Sequence, residues 1–437
     1  MPWTRSFAGR LGAIAVGALA LRLLYLLSLA REVGGAGDYT FYNATANLIA
    51  DGHFFIDPFR LAADGVVTPS AAHPPLWPLL LSVGSLFGGT SEPAHKLVGC
   101  LVGTGVVVLL GVLGRRIAGD RLGLAAAALA AVYPVLIAAD ASLMSEALYG
   151  LFVALAMLAA LRFADRPTAG RAAVLGAVIG LAALTRSEGL LLLVLLAAPL
   201  ALGVPAPRRS RAGMMAACAV AMALVIAPWT ARNWSEFGQP VLISNNDGTL
   251  LAGANCPESY SGPLLGGWSF DCISMARSSD DEAERSDRWR DEGIEYATEH
   301  MERWPVVVTV RVLRTFDLYQ PLEQAQFAEG RHRTFDMVGV FCYLALVPLA
   351  CLGLLGLRGR TTRIVLLAPV AMVLITSVLG YGIPRLRHAA ELPLVVLAAA
   401  GLLLLWDRWS PSATSNPASA SAGRVTAGSS QSQSRPT

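Results

Sequence analysis

The sequence predicts an all-α polytopic membrane protein: a bundle of about ten transmembrane helices, with interfacial helices in the first outer loop. Composition is the first reason. Of 437 residues, 54% are hydrophobic and 15% charged, and the mean hydropathy of +0.53 means more apolar surface than a soluble core of this length needs. The second reason is that apolar runs of about 17–25 residues, long enough to cross a bilayer, recur along the chain. The third is that six clusters of arginine, the residue that supplies every basic side chain but Lys96, lie at the termini and in alternate gaps between those runs, the pattern of the positive-inside rule.

The first run, 11–30, is long enough to span, and no A-x-A site followed by a soluble domain appears. It therefore reads as a helix and not as a cleaved signal. Further runs lie near 94–114, 122–139, 142–163, 171–185, 188–204, 212–230, 335–357, 363–381 and 389–406. The arginine clusters Arg5/Arg10, Arg115/Arg116/Arg121, Arg162/Arg166/Arg171, Arg208/Arg209/Arg211, Arg358/Arg360/Arg363 and Arg408 fall at a terminus or after an even-numbered run. That places both termini in the cytoplasm of a multi-pass protein of the cell (plasma or inner) membrane. Loops 31–93, 140–141, 186–187, 231–334 and 382–388 then face outward.

Leu76–Phe87 is apolar enough to suggest another span, but at about twelve residues it is short for one. Counting it would also turn the downstream arginine clusters outward. Asp38–Asp51 and Pro75–Phe87 are therefore predicted as two amphipathic helices lying on the outer surface. The second long loop, 231–334, begins polar and Gly-rich and then carries a mixed-charge run from Ser278 to Arg303, which reads as a solvated helix rather than a nucleic-acid or metal site. Arg303–Leu322 alternates aromatic, aliphatic and arginine residues and is predicted to return to the membrane surface. Residues 1–409 thus form one transmembrane domain. Residues 410–437, rich in Ser, Ala, Pro and Gln, form a disordered cytoplasmic tail.

Of six cysteines, Cys100, Cys218, Cys342 and Cys351 lie in apolar runs and read as small hydrophobes. Cys256 and Cys272 share the polar second loop, and in an oxidising compartment they would form a disulfide. No cluster with metal-ligand spacing and no cofactor signature is present in the sequence. Asn43 and Asn233 each open a glycosylation sequon, but both lie too close to the membrane to read as glycan acceptors.

Ionisable residues near or inside a membrane are functional candidates. Apart from Arg22, they avoid the centres of the runs and gather at the outer helix ends: Asp38, His73, Asp140 and Glu146, Arg186 and Glu188, Arg232, then Arg385, Arg387, His388 and Glu391. An outward cavity lined by an aspartate and several arginines suits transfer from a lipid-linked anionic substrate. The carboxylate of Asp38 can take the acceptor's proton, while Arg385 and Arg387 hold the departing phosphate. Blander readings stand beside this one. Asp38 can be a helix cap, His73-Pro74-Pro75 a fixed turn, Arg186 and Arg232 interfacial anchors, and Asp140 with Glu146 either a pair near the acceptor or solvated helix ends.

Five stretches carry a resemblance: G-D-Y-T-F-Y-N-A-T-A-N-L-I-A-D-G at 37–52, H-P-P-L-W-P at 73–78, L-T-R-S-E-G-L-L-L at 184–192, P-W-T-A-R-N at 228–233 and Y-G-I-P-R-L-R-H-A-A-E-L-P at 381–393. In this order and on one membrane face, the chain resembles the GT-C superfamily of polyprenyl-phosphate-sugar glycosyltransferases, in the branch of the protein O-mannosyltransferases and the lipid A aminoarabinose transferase. The resemblance implies a GT-C-type bundle, Asp38 as the catalytic aspartate and an inverting displacement. It also implies substrate contacts from Tyr42, His73, Glu146, Arg186, Arg232, Arg385, Arg387 and His388. The implied partners are a polyprenyl-phosphate-sugar donor and a lipid, glycan or protein acceptor, with no nucleic acid. Many relatives carry a second acid after the aspartate; here that residue is Tyr39, which argues against a metal at this spot. A polytopic lipid or solute transporter is the alternative, although the polar midplane and related halves expected of one are not visible.

Overall fold

The computed structural model describes residues 6–31, 33, 37–273, 281–324 and 329–409. The tail predicted to be disordered, 410–437, lies outside the described residues, as does the start of the charged run at Ser278. In chain order the principal helices are α1 (Phe7–Tyr25, prolonged by a π-helical turn Leu26–Ala30), α2 (Asp38–Ala50), α3 (Leu76–Leu86), α4 (Glu92–Ala118), α5 (Asp120–Val132), α6 (Pro134–Asp140), α7 (Glu146–Asp165), α8 (Ala169–Ala183), α9 (Arg208–Phe237), α10 (Asn246–Ala254), α11 (Glu282–Glu299), α12 (Trp304–Thr315), α13 (Arg333–Gly356), α14 (Arg360–Leu379) and α15 (His388–Trp409). No multi-residue strand occurs among the described residues, only a single bridge between Ile56 and Pro69.

All ten predicted runs are helical. Among the described residues, seven helices are long and apolar enough to cross a membrane (α1, α4, α7, α9, α13, α14 and α15), or eight if α5 and α6, bent by 62°, form one span. The bend has a local cause. Pro134 opens α6, and Tyr133 before it is extended at φ −74°, ψ 114°, because proline's ring disfavours the helical region for the preceding residue. The runs predicted at 171–185 and 188–204 form α8 and the helical stretch Ser187–Leu202, both short of full spanning length. The stretch that suggested another span is likewise a short helix, α3, Leu76–Leu86.

The bundle is cemented by a continuous apolar core that includes Leu110, Ala126, Val153, Ile179, Val365 and Val396. Helices pack closely where side chains vanish. A Cβ on Gly353 would stand 1.9 Å from the Leu397 carbonyl oxygen, and one on Gly401 2.0 Å from that of Leu349, so α13 and α15 meet backbone to backbone. In a bilayer such small-residue contacts supply the association that hydrophobicity between helices cannot.

The bundle has two chemically distinct ends. At one end the arginine-rich connections pair with nearby acids: Arg115 with Asp120 (2.7 Å), Arg116 with Asp165, and Arg121 with Asp407 (2.8 Å). At the other end α2, α3 and the described parts of the long loop, 238–273, 281–324 and 329–332, gather over the helix ends. Within that loop α10 packs on α11, and a disulfide joins Cys256 to Cys272. Helix α12 buries Val307, Val310, Arg311, Arg314 and Thr315 on one face. Its arginines turn inward: Arg311 donates to the Ala254 carbonyl (2.5 Å) and the Val378 carbonyl (3.1 Å), and Arg314 to that of Leu265 (2.7 Å). This segment, predicted as a surface helix, therefore rivets the loop to the end of α14.

Candidate active site

Asp38 is the first residue of α2. Gly37 precedes it at φ 125°, a conformation open to glycine and strained for other residues; a Cβ there would also press to 3.2 Å against the Glu329 carboxylate. The turn delivers Asp38 to the rim of the bundle with its side chain 30% exposed. Its Oδ2 accepts from Arg385 Nη2 at 2.6 Å. Its Oδ1 lies 3.5 Å from His73 Nε2, while His73 Nδ1 is 3.4 Å from the Tyr42 hydroxyl. The His73 ring also packs against Phe41 and Tyr42. A neutral imidazole with its proton on Nε2 and the Tyr42 hydroxyl donating to Nδ1 satisfies both contacts.

His73 owes its position to two anchors. Leu76 N–H donates to the Leu184 carbonyl at 3.0 Å, which ties the H-P-P turn to the tip of α8. On the other side Ala71 N–H donates to Glu282 Oε1 at 2.7 Å, and Asn245 donates to the same oxygen at 3.0 Å. Glu282, at the start of α11, thus pins the strand of chain that leads to His73.

Arg385 is the hub. Its Nε donates to Glu146 Oε1 at 2.5 Å, its Nη1 to Glu329 and its Nη2 to Asp38. Glu146 Oε1 also accepts from Arg186 Nη1 at 3.2 Å, and Arg186 Nε donates to Glu188 at 2.6 Å. Four carboxylates (Asp38, Glu146, Glu188 and Glu329) therefore surround two guanidiniums (Arg186 and Arg385), leaving negative charge in excess. Burial pushes the Asp38 carboxyl up, but Arg385, followed by His73 and Arg186, overrides it and holds the group at about 2. His73 goes down, chiefly through burial and against the pull of Asp38. Glu329 goes up, because burial and the neighbouring Asp38 and Glu146 charges outweigh Arg385.

The structure thus brings Asp38, Tyr42, His73, Glu146, Arg186 and Arg385 into one constellation. His388 lies beside it: a Cβ on Gly150, one turn along α7 from Glu146, would come within 2.8 Å of its Nε2, and both ring nitrogens are buried without a hydrogen-bond partner. Arg232 and Arg387 are elsewhere. Arg232 donates to the Phe55 carbonyl (2.8 Å) and the Ser70 carbonyl (2.9 Å) and lies over Trp229, so it clamps the loop between α2 and α3. Arg387 points inward to Asp317, Glu391 and the Thr315 carbonyl. Asp140 and Glu146 are not a pair. Asp140 turns into the bundle to meet Arg22 at 2.7 Å, which gives the one mid-span arginine its counter-ion. Glu329 had no signal in the sequence, since it sits in the second loop outside any motif or periodic run. Glu188, visible among the helix-end charges, gained a role only through Arg186.

A sequence model of the family described as dolichyl-phosphate-mannose-protein mannosyltransferase matches residues 72–231, a stretch that contains His73, Glu146 and Arg186. No curated protein sequence matches the chain significantly. Among solved structures, the fold is similar to that of the oligosaccharyltransferase AglB from Archaeoglobus fulgidus in complex with an inhibitory peptide and a dolichol-phosphate, at TM-score 0.57 and 15% identity over 92% of this chain and 51% of that one. The oligosaccharyltransferase of the same organism tethered to an acceptor peptide gives TM-score 0.56 and 15% identity over 94% and 51%. The same enzyme with Zn and sulfate gives 0.54 and 16% over 92% and 49%. The chain spans about half the length of these structures. The chain is a polytopic, all-α protein whose fold is similar to that of these oligosaccharyltransferases, and its residues 72–231 are similar to the mannosyltransferase family.

Proposed function

We propose that the chain moves a sugar from a polyprenyl-phosphate-linked donor to a lipid, glycan or protein acceptor at the outer face of the membrane, by one inverting displacement with Asp38 as general base. The observation that carries this reading is the Arg385 guanidinium 2.6 Å from the Asp38 carboxylate at the rim of the bundle. One group can accept the acceptor's proton, and the other can receive the departing phosphate. The acceptor oxygen bonds to the sugar's anomeric carbon as the bond from that carbon to the phosphate oxygen breaks. The hydroxyl proton passes to Asp38, and the electron pair leaves with the lipid phosphate on Arg385.

Asp38 held at about 2 by its guanidinium partner is a weak base. A donor phosphate engages Arg385 through charge-assisted hydrogen bonds, loosens its hold on Asp38 and so restores the basicity the reaction needs. The same phosphate competes with Glu329, whose carboxylate occupies Arg385 Nη1 in the manner of an anionic ligand. Arg186 and Glu146 keep Arg385 in register, and the Nε2–H of His73 orients the Asp38 carboxylate.

The relative solved with Zn raises the case of a divalent ion. Here Asp38, Glu146 and Glu329 each face Arg385, whose guanidinium stands where a shared cation would sit, and Tyr39 follows Asp38. We read these carboxylates as held by Arg385 itself, with no step of the transfer routed through a metal ion. Among the described residues, the one group with metal-like spacing is Cys256, Glu258 and Cys272, whose sulfurs are joined to each other.

The test is sugar transfer from a polyprenyl-phosphate-sugar donor by purified wild type beside Asp38→Asn. We expect the variant to bind donor and not turn it over. Undiminished transfer by the variant would remove Asp38 from the mechanism, and solute flux in liposomes with no transfer from any donor would favour a transporter.

A further inference from the structure

We propose that the end of the bundle opposite Asp38 holds the headgroup of an acidic phospholipid, in a groove between α14 and the helical stretch Ser187–Leu202. The groove is shallow and open along one side, with a volume of about 490 Å³, and is walled by Leu195, Leu367 and Ala371, with Arg358, Arg360 and Arg363 at its mouth. This is the size of a small-molecule pocket.

The charge at the mouth is what identifies the occupant. Arg115, Arg116 and Arg121, at the same end of the bundle, each have a carboxylate partner. Arg358, Arg360 and Arg363 are exposed and form no ion pair among the described residues. Three unneutralised guanidiniums on six consecutive positions complement a phosphodiester, which arginine grips through paired N–H donors. The free amides at the start of α14, where Gly359 offers no side-chain cap, add donors on the same side. The apolar wall continues along a membrane-spanning helix, so an acyl chain can lie against Leu195 and Leu367 while the headgroup stays at the mouth. A water-soluble anion would leave that wall unused. Basic pockets between spanning helices are suited to anionic headgroups.

The site is remote from the transfer chemistry. Helix α14 has 20 residues and therefore reaches about 30 Å at 1.5 Å per residue, with Arg360 at one end and Tyr381 and Arg385 just beyond the other. A lipid in the groove would brace α14 without touching the Asp38 constellation.

Full-length protein reconstituted in nanodiscs of equimolar phosphatidylglycerol and phosphatidylcholine, then released for native mass spectrometry, reads the retained lipid directly. Wild type should retain phosphatidylglycerol in preference. The triple variant Arg358→Gln, Arg360→Gln, Arg363→Gln should lose that preference by about tenfold or more, and Arg208→Gln with Arg209→Gln, in the neighbouring connection, should keep it. Absence of preference in wild type, or an equal loss on changing Arg208 and Arg209, would overturn the site. If the triple variant does not fold, Ala371→Trp, which fills the groove and leaves the arginines, should displace the lipid; retention would refute the groove. Displacement by inorganic phosphate at the lipid's own concentration would reduce the site to a free-anion site and overturn the lipid assignment.

Discussion

Arg385 and Arg387 stand two residues apart on one short 3-10 turn, Pro384–Arg387, yet they live in different surroundings. Arg387 is 2% exposed and its acids Asp317 and Glu391 are 1% exposed at the side chain. Its guanidinium also lies 3.5 Å over the Tyr343 ring, while the Tyr133 hydroxyl donates to Glu391 at 2.8 Å. Every contact there is sealed from water. Arg385 is 14% exposed, and two of its acids, Asp38 and Glu329, are 30% and 37% exposed. The difference teaches that two like residues in one motif can divide the work: the sealed pair network holds the turn in place, and the open one can exchange its anions for a substrate.

The largest effect that would break this comparison belongs to Asp38. Asp38→Asn should lower the turnover rate about 10²–10⁴-fold, the usual worth of a general base, while donor binding tightens, since a carboxylate that competes for Arg385 is gone; a steady-state kinetic comparison checks both. Arg385→Gln should also cost about 10²–10³-fold in turnover, as removal of a charge-stabilising donor does, and should weaken donor binding as well.

Arg387→Gln should show the opposite profile. Breaking a sealed ion pair costs about 3–5 kcal/mol, so thermal unfolding should move to markedly lower temperature, while the fraction that stays folded should keep a near wild-type KM for donor. A kinetic loss at Arg387 that exceeds its stability loss would erase the division drawn between the two arginines. Reduction of the Cys256–Cys272 disulfide, or Cys256→Ser with Cys272→Ser, should cost about 2–4 kcal/mol of local stability, read as faster proteolysis of the 238–332 loop.

The smallest expected effect sharpens the comparison most. Glu329→Gln should lower the KM for donor by roughly three- to tenfold, because one net charge near a phosphate site is worth on the order of 1 kcal/mol at this exposure. Its pH dependence follows from direction alone. Glu329 titrates above the ordinary 4.5, so as pH falls from neutral toward that value it takes up a proton, releases Arg385 and should tighten donor binding; Glu329→Gln should abolish this slope. Asp38, held at about 2 instead of 3.8, behaves in the reverse sense. Its ion pair stabilises the fold fully above its ordinary range, and that contribution is lost only as pH falls from about 4 to about 2.

Much of the fold could be read in advance because a bilayer imposes length and composition on every span. The runs that became α4, α9, α13 and α14 announce themselves by apolar length, and α3 by being too short. Asp38, His73, Glu146, Arg186 and Arg385 stood out for one reason: each is a charge or imidazole at the edge of an apolar segment, where an unneeded ionisable group is costly. Local sequence therefore determined which groups were candidates and at which end of the bundle they lie.

Which of those candidates meet was decided only in three dimensions. Nothing in P-R-L-R-H distinguishes Arg385 from Arg387; the 3-10 turn sends one guanidinium to the rim and the other into the interior. The same holds for Asp140 and Glu146, six positions apart, one bound to Arg22 and the other to Arg385. Glu329 reaches the site from the far end of a long loop, and Arg232 leaves it to hold loop carbonyls. The physical reason is the same throughout. Burial in a membrane is enforced residue by residue and so is written along the chain, whereas the pairing of charges depends on distances between helices that only packing sets.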